Sequence, residues 1–394
     1  MRKATIILKQ VATGSITTRR IPLLDLAALH APIQGEIDAA IQAVIQSQQF
    51  ILGEPVARLE QTLAAYCGSR HAIGCASGSD ALYLALLALG IGAGDRVLVP
   101  AFTFFATAGA VSRAGAVPVF VDIDPVTFNL DPARIAATLF TQPRAKAVIA
   151  VHLFGGAADM DPILRIAAQY DLAVIEDGAQ AIGGEYNGRR LLSIGQIGCL
   201  SFFPTKNLGA FGDGGMVTVN DDGLARRLRA LRTHGGLERY RHEWIGINSR
   251  LDALQAALLQ AKTPYLDGWT GGRQQNAARY RALLDKAGLP VVLPQPASYQ
   301  TRHVFNQYVI RCQRRDQLKL HLEQAGVGTE VYYPIPLHLQ PCYRELGYKN
   351  GELPASEQAA SEVLALPVHP ALGPGDIEYV CQCLAAFYRS PFAL

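Results

Sequence analysis

Ser201-Phe202-Phe203-Pro204-Thr205-Lys206-Asn207-Leu208-Gly209 sets a single lysine among aromatics and a proline, and the glycine-rich stretch Gly209 to Gly215 follows it. Those neighbours do not suit a solvated helix face. They fit an irregular loop whose small residues leave room for a bulky aldehyde to reach the amine. Upstream, the apolar run Leu172-Ala173-Val174-Ile175-Glu176-Asp177 reads as a buried strand that ends in an acid.

Working outward, residues 70 to 220 alternate between strand-like and helix-like segments. The strand candidates are His71–Ala76, Arg96–Ala101, Val117–Ile123, Ala147–Leu153, Leu172–Glu176, Gly198–Phe203 and Met216–Val219. Helical stretches lie between them, at Ala81–Leu89, Ala106–Arg113, Pro132–Leu139 and Pro162–Gln169. Short apolar β-rich runs separated by helices predict an α/β fold with a mostly parallel sheet of seven strands, sandwiched by helices. Asp131-Pro132 and Asp161-Pro162 each read as a capping acid before a proline in the first helical turn. Arg250–Gln260 (RLDALQAALLQ) reads as a helix with one apolar face. Beyond Pro264 charge rises, elements are expected to shorten, and prolines cluster at Pro290, Pro294, Pro296, Pro334, Pro336 and Pro341. We therefore expect a large domain over 21–265 and a smaller α+β domain over 266–394.

Composition narrows the possible functions. Apolar residues make up 49% and charged residues 18%, enough for large cores and too apolar for global disorder. The formal net charge of +3 implies no nucleic-acid partner. No uninterrupted apolar run is long enough to span a membrane. The seven cysteines are scattered and lack a CxxC, which reads as reduced thiols in a cytoplasmic protein. The nine histidines form no ligand-spaced cluster, so no metal is expected. Residues 1–24 carry Arg2, Lys3, Lys9, Arg19 and Arg20 and no acid. A transit peptide has that composition, but residues 1–20 are expected to be a disordered basic extension.

The chemistry-bearing residues fall at strand ends. Burial lowers a lysine pKa, and Phe202, Phe203 and Pro204 would give Lys206 the neutral amine that attack on an aldehyde requires. Asp177, off a strand's carboxyl end, could keep a pyridine nitrogen protonated; taken alone it could equally cap the next turn. Gln180 has an amide suited to a phenolic oxygen. Ala76-Ser77-Gly78-Ser79-Asp80-Ala81-Leu82 closes one strand and opens an apolar helix, whose first N–H groups can bind phosphate. By itself this is also an ordinary serine cap. Ser201 could add a hydroxyl, and Phe104 could stack on a flat ring or simply fill the core. Together these residues point to pyridoxal 5'-phosphate, held by a lysine and polarised by an acid.

At these residues the sequence resembles the sugar aminotransferases of the DegT/StrS type, within the aspartate aminotransferase fold. The shared stretches include FILGEPVARLE, SGSDALYLAL, GDRVLVPAFTFFATA, GAVPVFVDID, VIEDGAQAIGGEYNGR, SFFPTKNLGAFGDGG, GINSRLDALQAALL and YYPIPLHLQ, and the likeness runs from Ile21 to about Tyr388. The resemblance implies that Lys206 is the Schiff-base lysine, that Asp177 partners the pyridine nitrogen and that Gln180 meets the phenolic oxygen. It implies that Gly78, Ser79, Asp80 and Ser201 hold the phosphate, and that Phe104 stacks on the ring. Asn248 would reach the phosphate in the neighbouring subunit of a homodimer with shared active sites. Arg250, Tyr332, Tyr333 and His338 fall where relatives contact the sugar nucleotide. Arg250 could instead pair with an acid at the head of its helix, and the two tyrosines could be packing residues. Gly178 stands where an alanine is common, and Tyr332 where many relatives have histidine. Relatives with histidine at the Schiff-base position are dehydratases; this chain keeps the lysine.

The resemblance implies amino transfer from glutamate to a keto sugar linked to a nucleoside diphosphate, with pyridoxamine phosphate as the form between the two half-reactions. Gln180, where many 4-aminating relatives carry histidine, tilts the reading towards a 3-keto sugar. The alternatives are amination of a cyclitol ketone and a regulatory role on the same fold.

Overall fold

The computed structural model describes residues 19–141 and 144–389. Most of the predicted basic extension, residues 1–18, lies outside the described residues. All seven predicted strands form, and they form one sheet. They are β1 (His71–Cys75), β2 (Arg96–Pro100), β3 (Val117–Val121), β4 (Ala145–Val151), β5 (Ala173–Asp177), β6 (Ile197–Ser201) and β7 (Gly215–Val219). Their order across the sheet is β1-β7-β6-β5-β4-β2-β3. β7 runs antiparallel to both its neighbours, and the other pairings are parallel. The sheet is buried on both faces, which is why its strands read as continuous apolar runs. One face packs helices Gly78–Ala88 and Ala106–Arg113. The other packs Glu54–Cys67, Met160–Gln169 and Ala253–Lys262.

Helix Gly78–Ala88 begins where the sequence places a cap: Ser77 Oγ accepts the Asp80 N–H at 3.1 Å. Asp131 likewise accepts the N–H of Ala133 at the start of Pro132–Thr141. Asp161 does not cap. The helix there begins at Met160 after Asp159, and Asp161 lies inside its first turn. The helix predicted from Arg250 begins three residues later, at Ala253. Residues before it are held extended, since Asp252 bridges Ile51 and the Ala253 N–H reaches Phe50 O.

The expectation of shorter helices beyond Pro264 is overturned. Leu266–Ala287 runs for 22 residues. It packs with Pro374–Arg389 and with a second, antiparallel sheet of β8 (Val291–Val292), β9 (Tyr308–Cys312) and β10 (Val363–Leu366). Ile21 joins this C-terminal core through a bridge to Val327. No helix among the described residues is long and apolar enough to cross a membrane. All seven cysteines are free thiols.

Candidate active site

The carboxyl ends of β1, β2, β4, β5 and β6 converge on one cleft of about 470 Å³. Ligands of open α/β sheets bind at such ends. Its lining includes Gly78, Ser79, Phe104, Asp177, Gln180, Ser201, Lys206, Tyr332 and Tyr333, so the structure brings together most of the residues singled out from sequence.

Lys206 follows β6 on the loop that its neighbours predict. Its backbone N–H bonds Phe203 O at 2.8 Å, and Phe202 closes the loop by accepting the Ala210 N–H at 2.7 Å. Among the described residues its amine forms no ion pair. Burial lowers its pKa to about 8, only partly opposed by the charge of Asp177. On the order of a tenth to a fifth of the amine is therefore neutral near physiological pH.

Asp177 is the last residue of β5 and is 5% exposed. Burial raises its pKa above the usual carboxylate value, while hydrogen bonds from Thr107 Oγ1 (2.8 Å) and the Ala179 N–H (3.2 Å) pull the other way. Thr107 was not singled out from sequence; a threonine inside a helix carries no signal until the fold brings it to the acid. The preceding Glu176 points to the opposite face of the sheet. It accepts N–H groups of Leu192, Ile194 and Gly195 and pairs with the buried His152. The Ala158 N–H occupies His152 Nδ1, so Nε2 is the nitrogen that donates to Glu176. These bonds hold Glu176 below its usual pKa despite its burial, and they anchor the end of β5.

The phosphate cradle is the start of helix Gly78–Ala88. A Cβ at Gly78 would lie 2.6 Å from Ser201 Cβ, so only glycine lets the helix start meet β6. The Asp80 N–H is taken by Ser77 and its carboxylate pairs with Arg113, which leaves Asp80 out of the cleft lining. Gly78 and Ser79 are the residues that present the helix start there. Gln180 is locked from both sides: its Oε1 accepts the Phe154 N–H at 2.6 Å, and its Nε2 donates to Tyr333 Oη at 3.0 Å. Phe104 is 55% exposed and lies 6.1 Å from the Tyr333 ring. Gly178 has a local reason, since a Cβ there would meet Leu192 Cδ2 at 2.3 Å.

Besides Asp80, three of the expected substrate or cofactor contacts, Asn248, Arg250 and His338, are absent from the lining of this cleft. Asn248 and Arg250 line an adjoining recess with Asp252 and Gln255, and Asp213 borders both spaces. Asn248 is exposed, and among the described residues Arg250 forms no ion pair, so it does not pair with Asp252. His338 is withdrawn altogether. It is 1% exposed, bonds Glu357 Oε1 at 3.1 Å, and packs against Phe120 and Tyr348. Sequence shows its polarity but not its depth. Among the described residues no cluster of His, Cys, Asp and Glu could hold a metal ion.

The donor set fits pyridoxal phosphate: a partly neutral amine, a buried acid without an ion pair among the described residues, a helix start for the phosphate and an aromatic face. Fold and cleft together define a transferase of the aspartate aminotransferase fold that depends on this cofactor. The model of the DegT/DnrJ/EryC1/StrS aminotransferase family matches residues 32–385, and the chain belongs to that family. It is 51% identical to a "Pleiotropic regulatory protein" of Geobacillus stearothermophilus, over 94% of this chain and 99% of that one. It is 43% identical to the UDP-2-acetamido-2-deoxy-3-oxo-D-glucuronate aminotransferase of Pseudomonas aeruginosa, over 92% of this chain and 99% of that one. Among solved structures, S. venezuelae DesV superposes with a TM-score of 0.91 at 42% identity, covering 95% of this chain and all of that one.

Proposed function

We propose that the protein moves the amino group of glutamate to a nucleoside diphosphate-linked 3-keto sugar, as a homodimer with shared active sites in the cytoplasm. The observation that carries this reading is the convergence of Lys206, Asp177 and the start of helix Gly78–Ala88 on one cleft. The substrate named for the Pseudomonas relative, itself a 3-oxo sugar, supports the choice of carbon, as does Gln180 in place of histidine.

Pyridoxal phosphate supplies an aldehyde that exchanges for an amine, and a ring that withdraws electrons when protonated. The chain supplies the rest. Lys206 Nζ takes a proton from the donor's α carbon and, in the second half-reaction, gives one to the sugar carbon that receives nitrogen. Asp177 keeps its charge towards the ring nitrogen. Gly78, Ser79 and Ser201 hold the phosphate, and Tyr333 keeps Gln180 oriented towards the ring's oxygen. From the recess, Asn248 serves the phosphate in the partner subunit's site and Arg250 serves the sugar nucleotide.

The test is a substrate panel with glutamate, scored by release of 2-oxoglutarate. Nucleotide-linked 3-keto sugars should react, and 4-keto sugars and inososes should react poorly. Preference for a 4-keto sugar or a cyclitol ketone overturns the assignment of substrate. Lys206→Ala should abolish steady-state turnover on every substrate, and retained turnover removes Lys206 from the mechanism.

A further inference from the structure

Lys262, the last residue of helix Ala253–Lys262, is 1% exposed. Among the described residues no carboxylate pairs with it. Burying an ammonium without a counter-charge is costly, and a methionine of similar length would avoid that cost. The charge is spent on the main chain of the loop that bears Lys206. Lys262 Nζ donates to Gly209 O at 2.6 Å and lies 4.9 Å from the centre of the Phe211 ring.

The same helix grips the backbone of Phe211 as well. Gln255 accepts the Phe211 N–H at 2.9 Å and donates to Phe211 O at 3.2 Å. Gly209 has no slack, because a Cβ there would lie 2.3 Å from Pro204 O. Directly after Lys206, Asn207 accepts from Asn306 Nδ2 at 2.9 Å and donates to Val304 O at 3.3 Å. The carboxyl side of the Lys206 loop is thus clamped at Asn207, Gly209 and Phe211, and among the described residues Lys262 is the one ionisable group in that clamp. The group facing it from another element is His30, whose ring lies 5.1 Å from Phe211. Burial, reinforced by the charge of Lys262, takes His30 down to about 4, so it is neutral in the working range.

We propose that Lys262 is a positioning residue for Lys206, fixing the Pro204–Phe211 loop through the Gly209 carbonyl so that the Lys206 amine meets an incoming aldehyde. The inference uses the role of Lys206 as cofactor lysine and does not depend on which sugar is aminated. The experiment uses the full-length, cofactor-free protein. Lysines are labelled with formaldehyde and cyanoborohydride at several pH values, and the rate at each lysine is read by mass spectrometry.

Lys262→Met should slow labelling at Lys206 on the order of tenfold or more, as displaced reacting groups do, while surface lysines keep their rates. Lys262→Gln, which keeps an N–H donor, should restore part of the rate. The visible absorbance of pyridoxal phosphate added to each variant should show the same ranking. A wild-type rate and pH midpoint at Lys206 in Lys262→Met overturns the proposal. So does a uniform change at all lysines that tracks a fall in melting temperature, which marks a purely structural role. If Lys262→Met does not fold, Lys262→Gln decides: selective slowing at Lys206 supports the proposal, and the wild-type rate overturns it.

Discussion

At the scale of single residues, Asp177 and Lys206 face opposite electrostatic problems in one cleft. The folded pKa of Asp177 lies above its unfolded value, so its buried charge costs stability at pH above the folded pKa, and the cost is relieved as pH falls through it. The folded pKa of Lys206, about 8, lies below its unfolded value. Its charge costs stability below that pH, and the cost is relieved as pH rises towards 10.5. A protonated ring nitrogen would give Asp177 an ion-pair partner. Asp177→Asn should therefore stabilise the cofactor-free protein at pH 8, while reducing turnover by roughly a hundredfold or more. Thermal melts without cofactor and steady-state kinetics with it check the two halves, and a variant that is no more stable or as active as wild type contradicts the role. That Lys206 and Asp177 would meet in one cleft was legible because their local strings are unusual: an apolar, glycine-bounded lysine and an acid at the end of a buried run. Thr107 and His338 were not. The first gains meaning only from a neighbour seventy positions away, and the second loses its expected role because Phe120, Tyr348 and Glu357 enclose it.

At the scale of elements, every strand of the large sheet was legible, because strands buried on both faces leave short apolar runs that helices interrupt. Helix ends were less so. The start at Ala253 depends on a bridge between Ile51 and Asp252, far apart in the chain, and local pattern does not report it. The 22-residue helix Leu266–Ala287 was not among the elements expected from sequence, and it contains three poor helix formers, Gly268, Gly271 and Gly272. One of the three has a packing reason. A Cβ at Gly272 would lie 2.8 Å from Pro370 Cβ, whereas Gly268 and Gly271 have nothing within 4 Å. Gly268→Ala and Gly271→Ala should each stabilise the protein by about 0.5–1 kcal/mol through backbone entropy. Gly272→Ala should destabilise it by roughly 1–3 kcal/mol, because Pro370 cannot yield without moving backbone. Urea titrations of the three variants test this, and equal behaviour at all three positions would remove packing against Pro370 as the distinguishing cause.

At the scale of the whole molecule, charge is out of balance with the proposed chemistry. The cleft lining contains one cation, Lys206, and two acids, Asp177 and Asp213. A cofactor phosphate, a dicarboxylate donor and a nucleoside diphosphate would all bring negative charge to it. The unused polar and basic groups, Asn248 and Arg250, lie in the recess beyond Asp213. The nearby loop exposes Leu237, Tyr240 and Ile245, the last at 95%. Exposed apolar residues beside unused polar ones are what an isologous contact between copies would cover. Sequence alone could not reveal this imbalance, since it becomes visible only when the cleft and the recess separate in space. If Asn248 serves the partner's site, two inactive chains can complement each other. Lys206→Ala lacks the amine, and Asn248→Asp sets a carboxylate against phosphate. In a mixed dimer one site carries both lesions, while the other combines an intact Lys206 with an intact Asn248 from the opposite chain. Mixing the two variants under conditions of subunit exchange should therefore yield transaminase activity that neither has alone. If Asn248 acts within its own chain, every site in the mixture carries one lesion and no activity returns.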